Sequence, residues 1–92
     1  MSYNITNYTY KQAKKIGVVV KPSTNKTKKI DVYKKGKKVA SVGAAGMSDF
    51  PTYMKTRGKK YAKTRRRLYK MRHENDRHKK GSNGYYADVL LW

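Results

Sequence analysis

The sequence has no cysteine, only five acidic residues and no long apolar run. Without cysteine, the chain forms neither a disulfide nor a thiolate zinc site. No stretch approaches the roughly 18 apolar residues that a membrane-spanning helix needs. The start of the chain, Met1, Ser2 and Tyr3, matches neither a signal peptide nor a myristoylation motif. We therefore expect no membrane span and synthesis in the cytoplasm.

The shortage of acidic residues leaves a large positive charge. The 92 residues include 24 Lys and Arg against 5 Asp and Glu, a formal net charge of +19. Such a charge repels itself and opposes a compact state, so the sequence predicts a negatively charged partner: nucleic acid, an anionic membrane or an acidic protein surface. The length allows one small domain with a modest core.

The first ten residues are uncharged, rich in Asn, Thr and Tyr, and without clear periodicity. This composition predicts an extended N-terminal arm that a neighbouring molecule holds, with Tyr3, Tyr8 and Tyr10 as its protein-interface residues. We accordingly divide the chain into 1–27, the arm and a first strand, and 28–92, a small basic α+β domain.

Two regions are rich in residues that favour strands. β-branched residues in 15–21 predict a strand that ends at Pro22. Segments 30–33 and 38–42 flank a Lys-Lys-Gly-Lys turn, which predicts a β-hairpin with Gly36 at a positive φ. The expected fold class is α+β: a small β-hairpin or three-stranded sheet packed on one long basic amphipathic helix.

That helix is predicted to begin at Ser48 or Asp49, with Pro51 in its first turn, and to run to about His78. Apolar spacing across Gly58 favours one nearly continuous helix. At about 100° per residue, one side is an apolar stripe, formed by Phe50, Met54, Tyr61 and Leu68. The other side is a cationic ridge, the predicted contact for nucleic acid or another anion, formed by Lys55, Lys59, Lys60, Lys63, Arg66, Arg67 and Lys70.

The C-terminal residues 85–92 are the most hydrophobic part of the chain. Their pattern suits either a strand or a short helix, and we expect them to pack on the apolar stripe and the hairpin. Arg57, Arg65 and Arg72 lie at the edge of the stripe. We expect these three arginines to be structural, with stems that cover the core and guanidinium groups that reach carboxylates.

Residues 73–78 form the only cluster that suggests metal binding or catalysis. On a helix, His73 with Asp76 and Glu74 with His78 would share a face. Local neutralisation of a basic helix explains the two acidic residues more simply. Neither a phosphate-binding glycine loop nor a nucleophile with its base is present. We expect no enzyme activity, no metal, no cofactor and no small-molecule substrate.

Several blocks in 28–92 occur in a distinctive order: DVY (31–33), GKKVASVG (36–43), DFPTY (49–53), RRRLYK (65–70), RHENDR (72–77) and GSNGYYADVLLW (81–92). In these blocks the chain resembles a group of small basic proteins of large nucleocytoplasmic double-stranded DNA viruses, including algal viruses, that form a domain of unknown function. The resemblance implies a viral origin and a place in the virion, after synthesis in the host cytoplasm. It assigns no catalytic residue.

Two functions fit the sequence. In the first, the protein is a minor capsid component that bridges larger shell proteins and contacts anionic surfaces through its cationic helix. In the second, it binds double-stranded DNA without sequence preference and condenses or packages the genome. We favour the first from the uncharged arm, because arms that bind DNA unspecifically are normally basic.

Overall fold

The computed structural model describes residues 4–92, and in them it shows a three-stranded antiparallel sheet with four helices. The predicted α+β class and small sheet are confirmed. In chain order the elements are α1 (Asn7–Ile16), β1 (Val19–Pro22), β2 (Lys28–Lys34), β3 (Lys37–Ala44), α2 (Phe50–Thr56), α3 (Lys59–Arg72) and α4 (Asn83–Leu91).

Helix α1 includes residues 7–10 of the segment predicted to be an extended arm, so the predicted extended conformation is wrong there. The helix begins after Thr6, whose Oγ1 accepts a hydrogen bond from the backbone N–H of Thr9, and ends at Gly17, whose φ is 72°. Asn, Thr and Tyr are weak helix formers in isolation. Burial of Thr9 and Ala13 against the rest of the chain overrides this weak propensity.

The sheet has the order β1-β2-β3, with β2 in the centre. Ile30 of β2 lies opposite Pro22 of β1 and Val42 of β3. Lys35 and Gly36 form the two-residue β2–β3 turn, and their positive φ values, 51° and 79°, are those of a type I′ turn. The hairpin is confirmed, whereas the first strand is shorter than predicted because the residues before Gly17 belong to α1.

The core lies between the sheet and the two terminal helices. The sequence pattern of residues 85–92 suited either a strand or a short helix, and the structure shows a helix. This helix, α4, packs on β3 and α1. Its residues Leu90 and Leu91 are buried with Ile30 and Val32. The Oγ1 of Thr9 donates a buried hydrogen bond of 2.7 Å to the Leu90 carbonyl oxygen and so ties α1 to α4. Segment 1–27 adds further residues to this core: Ala13, Val18 and Val20.

The predicted long helix is two helices. Asp49 caps α2, because its Oδ1 accepts a hydrogen bond from the backbone N–H of Thr52. Gly58, at φ 90° and ψ 166°, then separates α2 from α3. This is a conformation that only glycine adopts readily. Helix α3 ends at Arg72, and turns replace the predicted helix over 73–78.

The apolar stripe is not the buried side of α3. Ala62 is fully buried, whereas Tyr61 and Leu68 are 41% and 40% exposed. The side of α3 that faces the rest of the protein carries Ala62, Arg66 and Tyr69. The helix is therefore rotated about its own axis by about 120° from the predicted orientation. Ring and ion-pair contacts of Arg66, Tyr69 and Lys70 fix this rotation. The tail therefore packs on the hairpin as expected, but not on the stripe.

Candidate nucleic-acid interface

Helices α2 and α3 carry a dense group of exposed cations. Segment 50–73 contains no acidic residue. Five members of the cationic ridge are exposed, and none of them takes part in an ion pair within residues 4–92: Lys55, Lys59, Lys60, Lys63 and Arg67. We call these the five exposed ridge residues. Their charges are available to an external anion.

The other two ridge residues are engaged inside the chain. The guanidinium carbon of Arg66 lies 3.5 Å from the ring centroid of Phe50, and its Nη2 donates to the Tyr8 hydroxyl at 3.4 Å. The Nζ of Lys70 donates to an Asp88 carboxylate oxygen at 2.8 Å. Arg66 and Lys70 therefore hold α3 against the rest of the fold.

Two of the three predicted arm tyrosines lie in the described part of the chain, and their surroundings differ. Tyr8 is half-buried, with its ring centroid 5.5 Å from that of Phe50. Tyr10 is 50% exposed on α1. Tyr3 lies outside the described residues. Of these positions, Tyr10 keeps the accessibility that contact with another molecule would need.

Sequence reasoning missed a row of five rings along α2, α3 and the C-terminal residue. Tyr61 contacts Tyr53 edge-on at 5.3 Å between centroids, and Tyr53 lies 6.2 Å from Trp92. Trp92 stacks on Tyr69 at 4.5 Å with an interplanar angle of 9°, and Tyr69 stacks on His73 at 4.3 Å. We call these five residues the aromatic row. Burial, with the nearby carboxylates of the chain, raises the pKa of the Tyr69 hydroxyl.

Two of the three arginines at the edge of the stripe lie over rings of this row, and none of the three forms an ion pair with a carboxylate in the described chain. The guanidinium carbon of Arg57 is 5.4 Å from the ring centroid of Tyr61, and that of Arg65 is 5.7 Å from the ring centroid of Tyr53. Within the described chain, the aspartates pair with other cations: Asp31 with Lys38, Asp49 with Lys29, and Asp88 with Lys70 and Arg77. The expected carboxylate role of Arg57, Arg65 and Arg72 is therefore wrong.

A short internal repeat produces this arrangement. The pattern Tyr-x-Lys-Thr-Arg occurs at 53–57 and again, eight residues later, at 61–65. In the structure the arginine of each copy lies over the tyrosine of the other copy. Each threonine hydroxyl donates to the carbonyl oxygen four residues earlier. This repeat is the signal in the sequence from which the ring and guanidinium cluster could have been found.

The outer side of α2 and α3 also carries apolar side chains. Between 39% and 66% of each is exposed, and these outer apolar residues are Met54, Tyr61, Leu68 and Met71. Three of them belong to the stripe that the sequence placed in the core. Their exposure leaves an apolar surface beside the five exposed ridge residues.

The turn over 73–78 holds local ion pairs. Glu74 accepts hydrogen bonds from His78 and Arg77, which lower the pKa of its exposed carboxyl group. His73 Nδ1 lies 3.4 Å from a carboxylate oxygen of Asp76. Among residues 4–92, no three His, Asp or Glu side chains form a group that could hold a metal ion.

A cleft of about 740 Å³ lies elsewhere, between segments 23–29 and 45–48. Polar side chains line it, among them exposed Lys26 and Lys28.

None of the helices in the described part of the chain is long and apolar enough to cross a membrane. No family model, curated protein or solved structure matches the chain.

Proposed function

We propose that the protein is a non-enzymatic, sequence-nonspecific nucleic-acid-binding protein. The five exposed ridge residues would contact phosphates. The observation that carries the proposal is their exposure without a carboxylate partner in the described chain, on a segment that lacks acidic residues. A regularly charged polyanion is the partner that neutralises such a surface most completely.

Long, exposed cationic side chains are better suited to contact the phosphate backbone of a nucleic acid than to recognise the edges of its bases. Specific readers present a few side chains, held by the fold, to base edges in a groove. Here the exposed cations are mostly lysines, which are flexible point charges with no fixed hydrogen-bonding geometry. The expected binding is therefore insensitive to sequence and strongly dependent on salt.

The test replaces Lys59, Lys60, Lys63 and Arg67 together by Gln. We expect this variant to lose most of its affinity for duplex DNA of any sequence, and the slope of log affinity against log salt to fall by roughly 0.9 for each phosphate contact removed. Fluorescence anisotropy between about 50 and 200 mM salt measures both quantities.

A matched control replaces four exposed lysines of the β2–β3 hairpin by Gln, at Lys28, Lys34, Lys35 and Lys37. Because both variants carry the same net charge, a larger loss in the helix variant assigns the contact to α3. Equal losses in the two variants would contradict a defined interface and would indicate attraction by net charge alone.

The second candidate is a minor capsid component of a large DNA virus, as the sequence resemblance implies. The exposure of the outer apolar residues favours it, because capsid neighbours could cover them in an interface of more than about 1,000 Å². The N-terminal segment no longer argues for it, since α1 packs in the core of its own chain. A photo-crosslinking side chain at position 71 would then capture a shell protein in purified particles.

A further inference from the structure

We propose that the aromatic row, with Arg57 and Arg65 beside it, binds the unpaired bases of single-stranded nucleic acid. The inference rests on the proposed function and names its substrate class. The five exposed ridge residues contact phosphates of either duplex or single-stranded nucleic acid. The rings of the row can stack only on bases that are unpaired and exposed.

The two terminal rings of the row are partly exposed. Tyr61, at one end, is 41% exposed. His73, at the other end, stacks on Tyr69 with one ring face, and its side chain is 38% exposed. A base that stacks on either terminal ring lengthens an array in which Tyr69 and Trp92 already lie parallel.

Two arginines give the row the chemistry that a nucleotide needs. Arg57 lies over the Tyr61 ring and Arg65 over the Tyr53 ring. A guanidinium plane stacks on a base and donates to phosphate oxygens. Rings and guanidinium groups therefore lie side by side at the Tyr53–Tyr61 end of the row.

Duplex DNA gains nothing from the rings of this surface, because its bases are stacked on one another and its outer face is phosphate. In single-strand binding proteins, a basic groove follows the backbone while aromatic side chains stack on successive bases, with little sequence preference. The positions of the row and of the five exposed ridge residues on the same α2–α3 unit meet both requirements.

Trp92 provides a direct measurement, because it is the single tryptophan of the chain and lies inside the row. The full-length protein is titrated with an oligothymidylate of about 12 nucleotides and with an abasic oligonucleotide of equal length and charge. We expect the oligothymidylate to quench Trp92 fluorescence and to bind at least about tenfold more tightly than the abasic strand. Equal affinities for the two strands would overturn the inference.

Variants assign the effect to the row. Tyr61→Ala combined with His73→Ala is expected to remove the preference for the strand with bases and to leave duplex affinity unchanged. Tyr61→Phe, which keeps the ring, is expected to retain the preference. Tyr10→Ala removes an exposed tyrosine on α1 and serves as the matched control. A preference that survives the double substitution would also overturn the inference.

These outcomes separate the inference from the proposed function. Duplex binding that depends on the five exposed ridge residues, without a preference for bases, leaves the proposed function standing and rejects the base-stacking role. Absence of binding to duplex, abasic and thymidylate strands alike rejects both.

Discussion

At the scale of the residue, Asp31 shows how a chain with few acidic groups uses one in its interior. The side chain is 1% exposed, under the loop that joins β1 to β2. Burial acts to raise its pKa, but hydrogen bonds from the Ser41 and Ser23 hydroxyls and the Thr24 backbone N–H outweigh burial. The pKa of Asp31 is therefore below its ordinary value.

This shift predicts how stability depends on pH. A carboxylate with a lowered pKa in the folded state stabilises the fold fully above the unfolded-state pKa of about 3.9, and this contribution disappears as the pH falls through the folded-state pKa. In Asp31→Asn we expect the free energy of unfolding to fall by about 1 to 3 kcal/mol at neutral pH. Its further decrease on acidification below about pH 4 should be smaller than in the wild type.

Urea unfolding of both proteins at a series of pH values measures the two effects. The acidic residues that remain contribute equally to both curves, so their difference reports on Asp31. Parallel curves, with the same loss of stability on acidification, would contradict the hydrogen-bonded carboxylate described above.

At the scale of the element, Gly58 decides the geometry of the whole cationic segment. A continuous helix would carry α2 and α3 along one axis, with the apolar stripe on one side. The conformation of Gly58 instead lets α3 turn about its own axis, so that Tyr61 meets Tyr53 and Arg66 meets Phe50. The proposed interface depends on this break.

Substitution of Gly58 by Ala distinguishes the two geometries. In a continuous helix it would stabilise the protein by about 1 kcal/mol. At φ 90° and ψ 166° we expect it to lower the free energy of unfolding by about 1 to 3 kcal/mol, although an added Cβ meets open space in the described chain. Thr64→Ala, at an exposed position within α3, is the control and should change stability by less than about 0.5 kcal/mol. Stabilisation by Gly58→Ala in chemical denaturation would contradict the observed break.

At the scale of the whole molecule, most of the hydrophobic core lies apart from the proposed binding surface. The buried apolar residues of the described chain come mainly from the sheet, α1 and α4, with Phe50 and Ala62 from α2 and α3, while the exposed cations and rings are concentrated on α2 and α3. Most of the charged side chains of this chain, whose net charge is +19, therefore lie outside the hydrophobic core. The arrangement allows the charged face to change without loss of the fold.

Two substitutions of the same kind test where the core lies. Leu90 is fully buried, and Leu90→Ala is expected to lower the free energy of unfolding by about 2 to 5 kcal/mol. Leu68 is 40% exposed, and Leu68→Ala should cost less than about 1 kcal/mol. Thermal or chemical denaturation of both variants measures the difference. If Leu68→Ala lowered the free energy of unfolding as much as Leu90→Ala, the apolar stripe would have to be buried in the core, contrary to the structure.

Local patterns in the sequence were sufficient for the features that depend on neighbouring residues. Alternating β-branched residues and the Lys-Gly turn predict the hairpin, because strand pairing across a two-residue turn is a short-range property. Asp49 before Pro51 predicts the start of α2, because a cap acts within one helical turn. The positive sign of the net charge also follows from composition alone, and with it the prediction of a negatively charged partner.

What the tertiary structure decided is which side of each element faces inward. Apolar spacing alone placed Leu68 inside and Arg66 outside, yet contacts with Phe50 and Tyr8, which lie far from Arg66 in the sequence, reverse this order. Helix α1 likewise forms where its own residues favour it little, because its burial against α4 supplies the free energy that local propensity lacks. Contacts between segments distant in sequence set both outcomes, and a periodicity measured along one segment does not contain them.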